Sequence, residues 1–180
     1  MQVELPPLVD PLGEALHFLR MSGSLYCRSE FSAPWGLDLP PMEGFLMFHV
    51  VTSGRCWLVV DGHERLLLQP GELALVPHGR GHQLESEPGV PATPLFELPR
   101  VELGERYEYV RHGGGGELAT LVCGAVCFEH PAAHQLVKML PRVIHVQASS
   151  SPEADWLQGT LRFMAAESRE LRPGGEAVIT

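Results

Sequence analysis

The sequence predicts a mainly β fold, and two observations indicate it. Three apolar runs between Phe45 and Val76 are rich in Val, Leu, Phe and Trp, and they are separated by Ser53-Gly54, Asp61-Gly62 and Pro70-Gly71. Glycine, and Asp before it, supplies the positive φ that a tight hairpin turn needs. A later run, Leu118–Phe128, has the same β-forming composition and is bounded by polar residues. We therefore expect strands joined by tight turns.

The segment before these runs predicts a helix and then a first strand. Asp10 can cap free amides and Pro11 is preset for the first helical turn, so a short helix is expected to begin here and to end at Gly23. The residues from Ser24 to Phe31 alternate well enough to form a strand.

The segment after Ser86 predicts a short strand, a mobile loop and two helices. Residues 95–98 have a strand-like pattern, whereas residues 100–117 become charged and then Gly-rich. Consecutive glycines are costly to order, so that loop is expected to be mobile. A helical pattern runs from His134 to a break at Pro141, and another opens at Ser151-Pro152.

The totals exclude several classes of function. The 180 residues suffice for one domain with a real core, and 13 Lys plus Arg face 22 Asp plus Glu, for a net charge of -9. Without a basic cluster, direct nucleic-acid binding is not expected. No signal peptide or membrane-spanning run is visible, so a cytoplasmic protein without membrane contact is expected. The four cysteines lack CxxC spacing and are expected to be reduced thiols.

The turn that follows the third apolar run resembles the second cupin motif. That motif is Gly, five residues, Pro, any residue, Gly, two residues, His, three residues and Asn. Gly71, Pro77, Gly79 and His82 match every spacing, and Ser86 stands where the family has Asn. The first cupin motif ends in Glu, six residues and Gly.

With Gly54 as the last residue of that first motif, its Glu position holds Met47. The two earlier His positions then fall among Pro40, Pro41, Met42 and Glu43. The resemblance therefore implies a cupin barrel that keeps the residues of the fold and lacks most of the metal ligands.

Three segments together resemble the N-terminal ligand-binding domain of AraC-family transcriptional regulators: Leu25 to Leu37, Phe48 to Leu84, and Leu121 to Val146. The resemblance implies a cupin-like double-stranded β-helix, a jelly-roll barrel with flanking N-terminal and C-terminal helices. Residues 1–23 would hold a helix packed on the barrel, 24–130 the barrel, and 131–180 helices for linkage or dimerisation. The DNA-binding helix-turn-helix domain of such regulators is absent from this chain.

The function implied by this resemblance is sensing. A small-molecule effector or a metal ion would bind in the barrel, and the change would pass to the missing DNA-binding domain. The oligomer is left open between a monomer and a homodimer. The alternative is a metal-dependent cupin enzyme, a dioxygenase or an isomerase, which needs a complete metal set or a positioned acid and base.

The candidate site centres on two histidines. If Met47 points into the barrel, the period of two puts His49 on the same inner face, and His82 should point inward from another strand. One interpretation is that His49 and His82, with a thiol, hold Zn²⁺ or another divalent metal. The other is that the two imidazoles bond each other, water or a ligand at the base of a pocket.

A second metal set combines His78 and His82 with Cys27 and Cys123, which would need both thiols deprotonated by the metal. Otherwise His78 points away from the interior and bonds backbone near its turn. Trp35 and Trp57 are core residues in one interpretation and stacking surfaces for an effector in the other. The ligand-binding candidates are thus Trp35, Met47, His49, Trp57 and His82.

Overall fold

A computed structural model describes residues 21–147 together with residues 159, 160 and 163. In chain order its elements are β1 (Met21–Ser32), β2 (Gly36–Leu39), β3 (Phe45–Ser53), β4 (Cys56–Val60), β5 (Leu66–Leu68), β6 (Leu73–Val76), β7 (His82–Glu85), β8 (Thr93–Pro94), a 3₁₀ helix (Leu95–Glu97), β9 (Arg100–Glu102), β10 (Tyr107–Gly113), β11 (Leu118–Phe128), α1 (Pro131–Met139) and β12 (Ile144–Val146).

The strands form two sheets. The first sheet has the order β12-β6-β3-β11-β1-β10-β9, and the second has the order β5-β4-β7-β2-β8. Most neighbours are antiparallel, and β1 with β10 and β2 with β8 are parallel. One apolar core contains buried residues of both sheets, such as Val51 and Leu121 of the first and Leu58 and Leu84 of the second. The predicted mainly β fold is confirmed.

Alternation along β3 explains how this strand serves the core. Met47, His49 and Val51 are buried in the first sheet, where they face the core between the two sheets. The chain passes from β3 in the first sheet to β4 in the second through a tight turn at Gly54, which is therefore not a hairpin. Gly54 has φ +70°, and a Cβ there would lie 2.3 Å from the Leu118 carbonyl oxygen. Only glycine meets both conditions, so the Ser53-Gly54 turn signal has a direct structural cause.

Three sequence predictions need correction. Residues 100–117 are not one loop, because β9 and β10 lie there and β10 pairs in parallel with β1 from Tyr26 to Ser32. Residues 95–97 form a 3₁₀ helix and not a strand. The C-terminal region contributes β12 as well as a helix, because Ile144–Val146 pairs with β6 at the edge of the first sheet.

The predicted helices fall partly within the described residues. Most of the predicted N-terminal helix lies outside them, and its last three residues, from Met21, already belong to β1. α1 begins at Pro131, three residues before the predicted start, because the His130 side chain accepts a hydrogen bond from the Ala132 amide and caps the helix. Most of the helix predicted from Ser151 lies outside the described residues.

Candidate functional site

A cavity of about 100 Å³ lies between the two sheets. Its walls are mainly apolar, with Met47 and Ala125 from the first sheet and Leu37 and Leu39 from the second. Cys27, Ser29, His49 and Cys123 supply polar and sulfur atoms to the same lining. A small, mostly apolar cavity with a few grouped polar side chains has the general character of a ligand site.

The polar lining residues form a row across three neighbouring strands. Cys27 of β1 stands opposite Cys123 of β11, and Cys123 stands opposite His49 of β3. Directly opposed residues on antiparallel strands project from the same face, so the two thiols and the imidazole lie side by side. The row arises from strand register. This register brings Cys27 next to Cys123, although the two residues are 96 positions apart in the chain.

The two predicted histidines meet between the sheets. His49 Nε2 lies 2.7 Å from His82 Nε2, and both side chains are buried, at 1% and 3% exposure. His49 Nδ1 lies 3.1 Å from Cys123 Sγ, and His82 Nδ1 lies 3.3 Å from the Arg80 carbonyl oxygen. A continuous hydrogen-bonded chain therefore runs from Cys123 to the backbone of Arg80.

The backbone carbonyl fixes the direction of this chain, because a carbonyl oxygen only accepts. His82 Nδ1 therefore donates to Arg80, and the Nε2 of neutral His82 must accept from His49 Nε2. His49 Nδ1 is then an acceptor for the Cys123 thiol. Every polar hydrogen in the chain has a partner when both imidazoles and the thiol are neutral, which is the state that a buried apolar setting favours.

The pKa shifts agree with this neutral arrangement. Burial, and secondarily the neighbouring His82, hold the pKa of His49 well below its ordinary value. Burial lowers the pKa of His82 to about 4, although the Arg80 carbonyl and the Asp38 charge oppose that shift. Burial, and then Cys27 and Cys56, raise the pKa of Cys123 well above its ordinary value. At neutral pH the chain from Cys123 to His82 therefore carries no charge.

The outer wall of the cavity contains a charged pair that the sequence did not single out. Arg100 lies 3.6 Å from a Glu108 carboxylate oxygen, its guanidinium donates to the Phe96 carbonyl at 3.4 Å, and it stands over the Phe96 ring at 5.1 Å. Glu108 is the strand partner of Cys27. Only the parallel pairing of β10 with β1 brings this pair to the cavity, and no local sequence pattern signals that pairing.

The structure separates the other predicted residues from this cavity. Trp35 is buried against Phe31 with ring centroids 4.4 Å apart and belongs to the packed core. Trp57 alternates with the buried residues of β4, which places it on the outer face of the second sheet. His78 donates to the Leu140 carbonyl at 2.9 Å, so its ring bonds backbone near α1 and not the thiols. Of the predicted ligand residues, Met47 and His49 line the cavity and His82 stands behind His49.

Neither predicted metal set is assembled. Within the described part of the chain, no three or more His, Cys, Asp or Glu side chains are arranged to hold a metal ion. The reason is visible at His49, where the Cys123 thiol lies on the Nδ1 side of the ring and His82 lies on the Nε2 side. Met47 also supplies a thioether where the cupin motif has a carboxylate. The residues therefore do not fit the metal centre of the cupin family.

Comparison with known proteins identifies the fold family. The family model Cupin_6, described as Cupin, matches residues 10–180. The chain belongs to the cupin family. The predicted cupin barrel is thereby confirmed, and the missing metal ligands make this chain a cupin that departs from the metal-binding pattern.

The relatives of this cupin include transcriptional regulators. An AraC-like transcription regulator from Streptomyces antibioticus is 29% identical over 163 residues, which cover 88% of this chain and 51% of that protein. The RCS-specific HTH-type transcriptional activator RclR from Escherichia coli K12 is 23% identical over 173 residues, covering 96% of this chain and 51% of that protein. The chain spans about half the length of the curated relatives it matches.

Among solved structures, apo ToxT K231A from Vibrio cholerae resembles this cupin with a TM-score of 0.43 and 8% identity, over 88% of this chain and 52% of that one. Across the residues that the structure describes, no helix has the length and apolarity needed to cross a membrane.

Proposed function

We propose that this chain is the effector-sensing regulatory domain of an AraC-type transcriptional regulator and that the cavity between its sheets is the effector site. The observation that carries the proposal is the apolar cavity with a satisfied Cys123–His49–His82 chain at its wall. The names of the relatives support a regulatory role over a catalytic one. In this proposal DNA contact belongs to another part of a longer regulator, and self-association through the C-terminal helices and a cytoplasmic location stay predictions.

The size of the cavity limits the effector. An apolar cavity of about 150 Å³ holds benzene, so a cavity of about 100 Å³ encloses about one aromatic ring at most, and any substituent of the ring lies toward the opening at the surface. The effector is neutral inside the cavity, because the walls are mainly apolar, the adjacent imidazoles carry no charge, and Arg100 and Glu108 at the outer wall pair with each other. A hydroxyl group on it can donate to His49 Nδ1 in place of the Cys123 thiol.

A fluorinated phenol tests this ligand class directly. We expect 4-fluorophenol to bind saturably in ¹⁹F NMR. Burial of roughly 150 Å² of ring surface at about 25 cal/mol/Å² contributes about 4 kcal/mol, which corresponds to a roughly millimolar Kd. Ala125→Leu, which places a larger side chain in the cavity, should abolish this binding.

Val126→Leu is the matched control, because Val126 is the next residue of β11 and lies on the opposite face of the first sheet. Binding should be unchanged in this variant. Equal binding in wild type and Ala125→Leu, or no saturable binding in wild type, would contradict the cavity as effector site.

The proposal also predicts that the chain alone binds no DNA. With a net charge of -9 it cannot neutralise a row of phosphates, so a promoter fragment should migrate freely beside it at physiological salt. Tight retardation of DNA by this chain in an electrophoretic mobility assay would place DNA recognition inside the cupin and overturn this division of roles.

A further inference from the structure

We propose that the cavity is coupled through the barrel wall to the C-terminal end of α1, and that residues 77–81, the β6–β7 turn, form the link. This inference rests on the proposed function, since it describes how the effect of effector binding is transmitted from the cavity to the rest of the domain. The turn contacts a cavity-lining residue on one side and α1 on the other, by separate hydrogen bonds.

The first contact joins the cavity to β7. His49 lines the cavity on the first sheet, and its bond of 2.7 Å reaches His82, the first residue of β7 on the second sheet. His82 in turn holds the carbonyl of Arg80 within the turn. Both rings are almost fully buried, so solvent has little access to replace a bond that is lost. A ligand that reorients His49 must therefore also change the hydrogen bonding of His82.

The second contact is made by backbone. Met42 lines the cavity, and its amide donates to the Gly79 carbonyl at 2.8 Å. Gly79 has φ +60°, and a Cβ there would lie 2.0 Å from the Met42 carbonyl oxygen. The turn is thus pressed against the backbone of the cavity wall, where only glycine fits. If a ligand displaces Met42, the turn must move with it, because the contact is made by backbone atoms and no flexible side chain can absorb the movement.

The third contact leaves the barrel. His78, the second residue of the same turn, donates from Nε2 to the carbonyl of Leu140 at 2.9 Å, and Leu140 is the C-terminal cap of α1. The strand before the turn, β6, also pairs with β12, which follows α1. The segment from α1 to β12 is therefore attached both to the turn that precedes His82 and to the strand before that turn. A change in the turn reaches this segment through His78 and through β6.

Coupling requires that the ligand bind one arrangement of the turn more tightly than another. The hydrogen-bonded chain supplies that difference, because a ligand hydroxyl on His49 Nδ1 displaces the Cys123 thiol and changes the position of the ring. Coupling free energies of this kind commonly change an affinity or an opening equilibrium by about fivefold or more. The expected readout is the opening of the last turn of α1.

Amide hydrogen exchange measures that opening. We expect 4-fluorophenol to change the exchange rate of the Leu140 amide, which bonds Val137, by about fivefold or more in the wild-type chain. In His78→Ala the ¹⁹F binding curve should be unchanged and the response at Leu140 should be lost. His78→Gln, whose side-chain amide can still donate, should restore part of the response.

His112→Ala is the matched control, because His112 lies on β10, four strands away from β6 in the first sheet, and its Nε2 lies 3.5 Å from Thr93 Oγ1. This variant should keep both binding and response. Absence of ¹⁹F binding in wild type overturns the proposed function and the coupling together. Binding with no response at Leu140, or with a response that persists in His78→Ala, overturns the coupling alone.

Discussion

Two adjacent rows of the first sheet differ in what they contribute to the molecule. In one row Leu121 of β11 faces Val51 of β3, and both are fully buried in the apolar core. In the next row, two residues along the same strands, Cys123 faces His49 beside the cavity. The strands, the face and the spacing are the same. In the packed row, branched apolar side chains fill the space. In the cavity row, the side chains of Cys123 and His49 form a hydrogen bond with each other.

The difference teaches where a barrel can hold a site. Towards the packed row, Phe31 and Trp35 stack and belong to the same core as Leu121, so stability is concentrated there. Towards the cavity row, small residues such as Ala125 leave free volume and a buried polar chain replaces apolar contact. Function can be placed at the second region because the first supplies the packing that holds the sheets together.

The largest effect should come from removing a side chain of the packed row. Leu121→Ala should lower the free energy of unfolding by about 3 to 5 kcal/mol, because it leaves a cavity in a filled region. Cys123→Ala on the same strand and face should cost about 1 kcal/mol, chiefly the lost bond to His49. Urea unfolding of both variants measures the comparison, and equal losses would show that the two rows contribute alike.

Acid should act through the cavity row. His49 and His82 are neutral when folded and protonate in the unfolded chain near their ordinary pKa of 6.5, whereas the folded pKa of His82 is about 4. The unfolded state therefore binds more protons between these values, so stability falls as the pH drops through that window.

For His82 this loss amounts to roughly 3 kcal/mol, the shift of its pKa expressed as free energy. The negative charge of Asp38 moderates it by favouring the charged ring. Urea unfolding at several pH values between 7 and 4 measures the slope. The double variant His49→Gln, His82→Gln should flatten it, and an unchanged slope in that variant would assign the acid sensitivity to other groups.

Replacing a side chain by a larger one should also destabilise the packed row more than the cavity row, because only the cavity row has free space. Val51→Leu inserts volume into filled space and should cost about 1 to 3 kcal/mol. Ala125→Val adds volume beside the cavity and should cost less than about 1 kcal/mol. Thermal unfolding of the two variants tests this contrast, which fails if Ala125→Val is the more damaging change.

The smallest effect is expected at the outer wall of the cavity. Glu108→Gln removes the ion pair with Arg100, whose side chain is 30% exposed, and should change stability by less than about 1 kcal/mol. Because the pair borders the cavity, the same variant should change the association rate of 4-fluorophenol measurably, although it leaves the free energy of unfolding nearly unchanged. Relaxation-based ¹⁹F NMR and urea unfolding measure the two quantities, and a large stability loss would make the pair structural.

Much of the site followed from the period of two along β3 and from the turn that ends at His82. These local features placed Met47 and His49 on one inner face and directed His82 toward them. Trp57 could not be assigned in that way, because a strand pattern does not say which face of β4 is the inner one. Trp35 lies just before β2, and only its stacking on Phe31 assigns it to the core. The position of His78 depends on its hydrogen bond to Leu140 at the end of α1, which is 62 residues further along the chain.

The sequence by itself determined the β-rich character, the tight turns at Gly54 and Asp61-Gly62, and the family, because these depend on residues close together in the chain. Tertiary structure alone decided that β10 runs beside β1, that β12 joins the first sheet, and that Cys27, Cys123 and His49 share one row. Strand register is set by packing between distant segments, and a shift of one residue would turn each of these side chains to the other face.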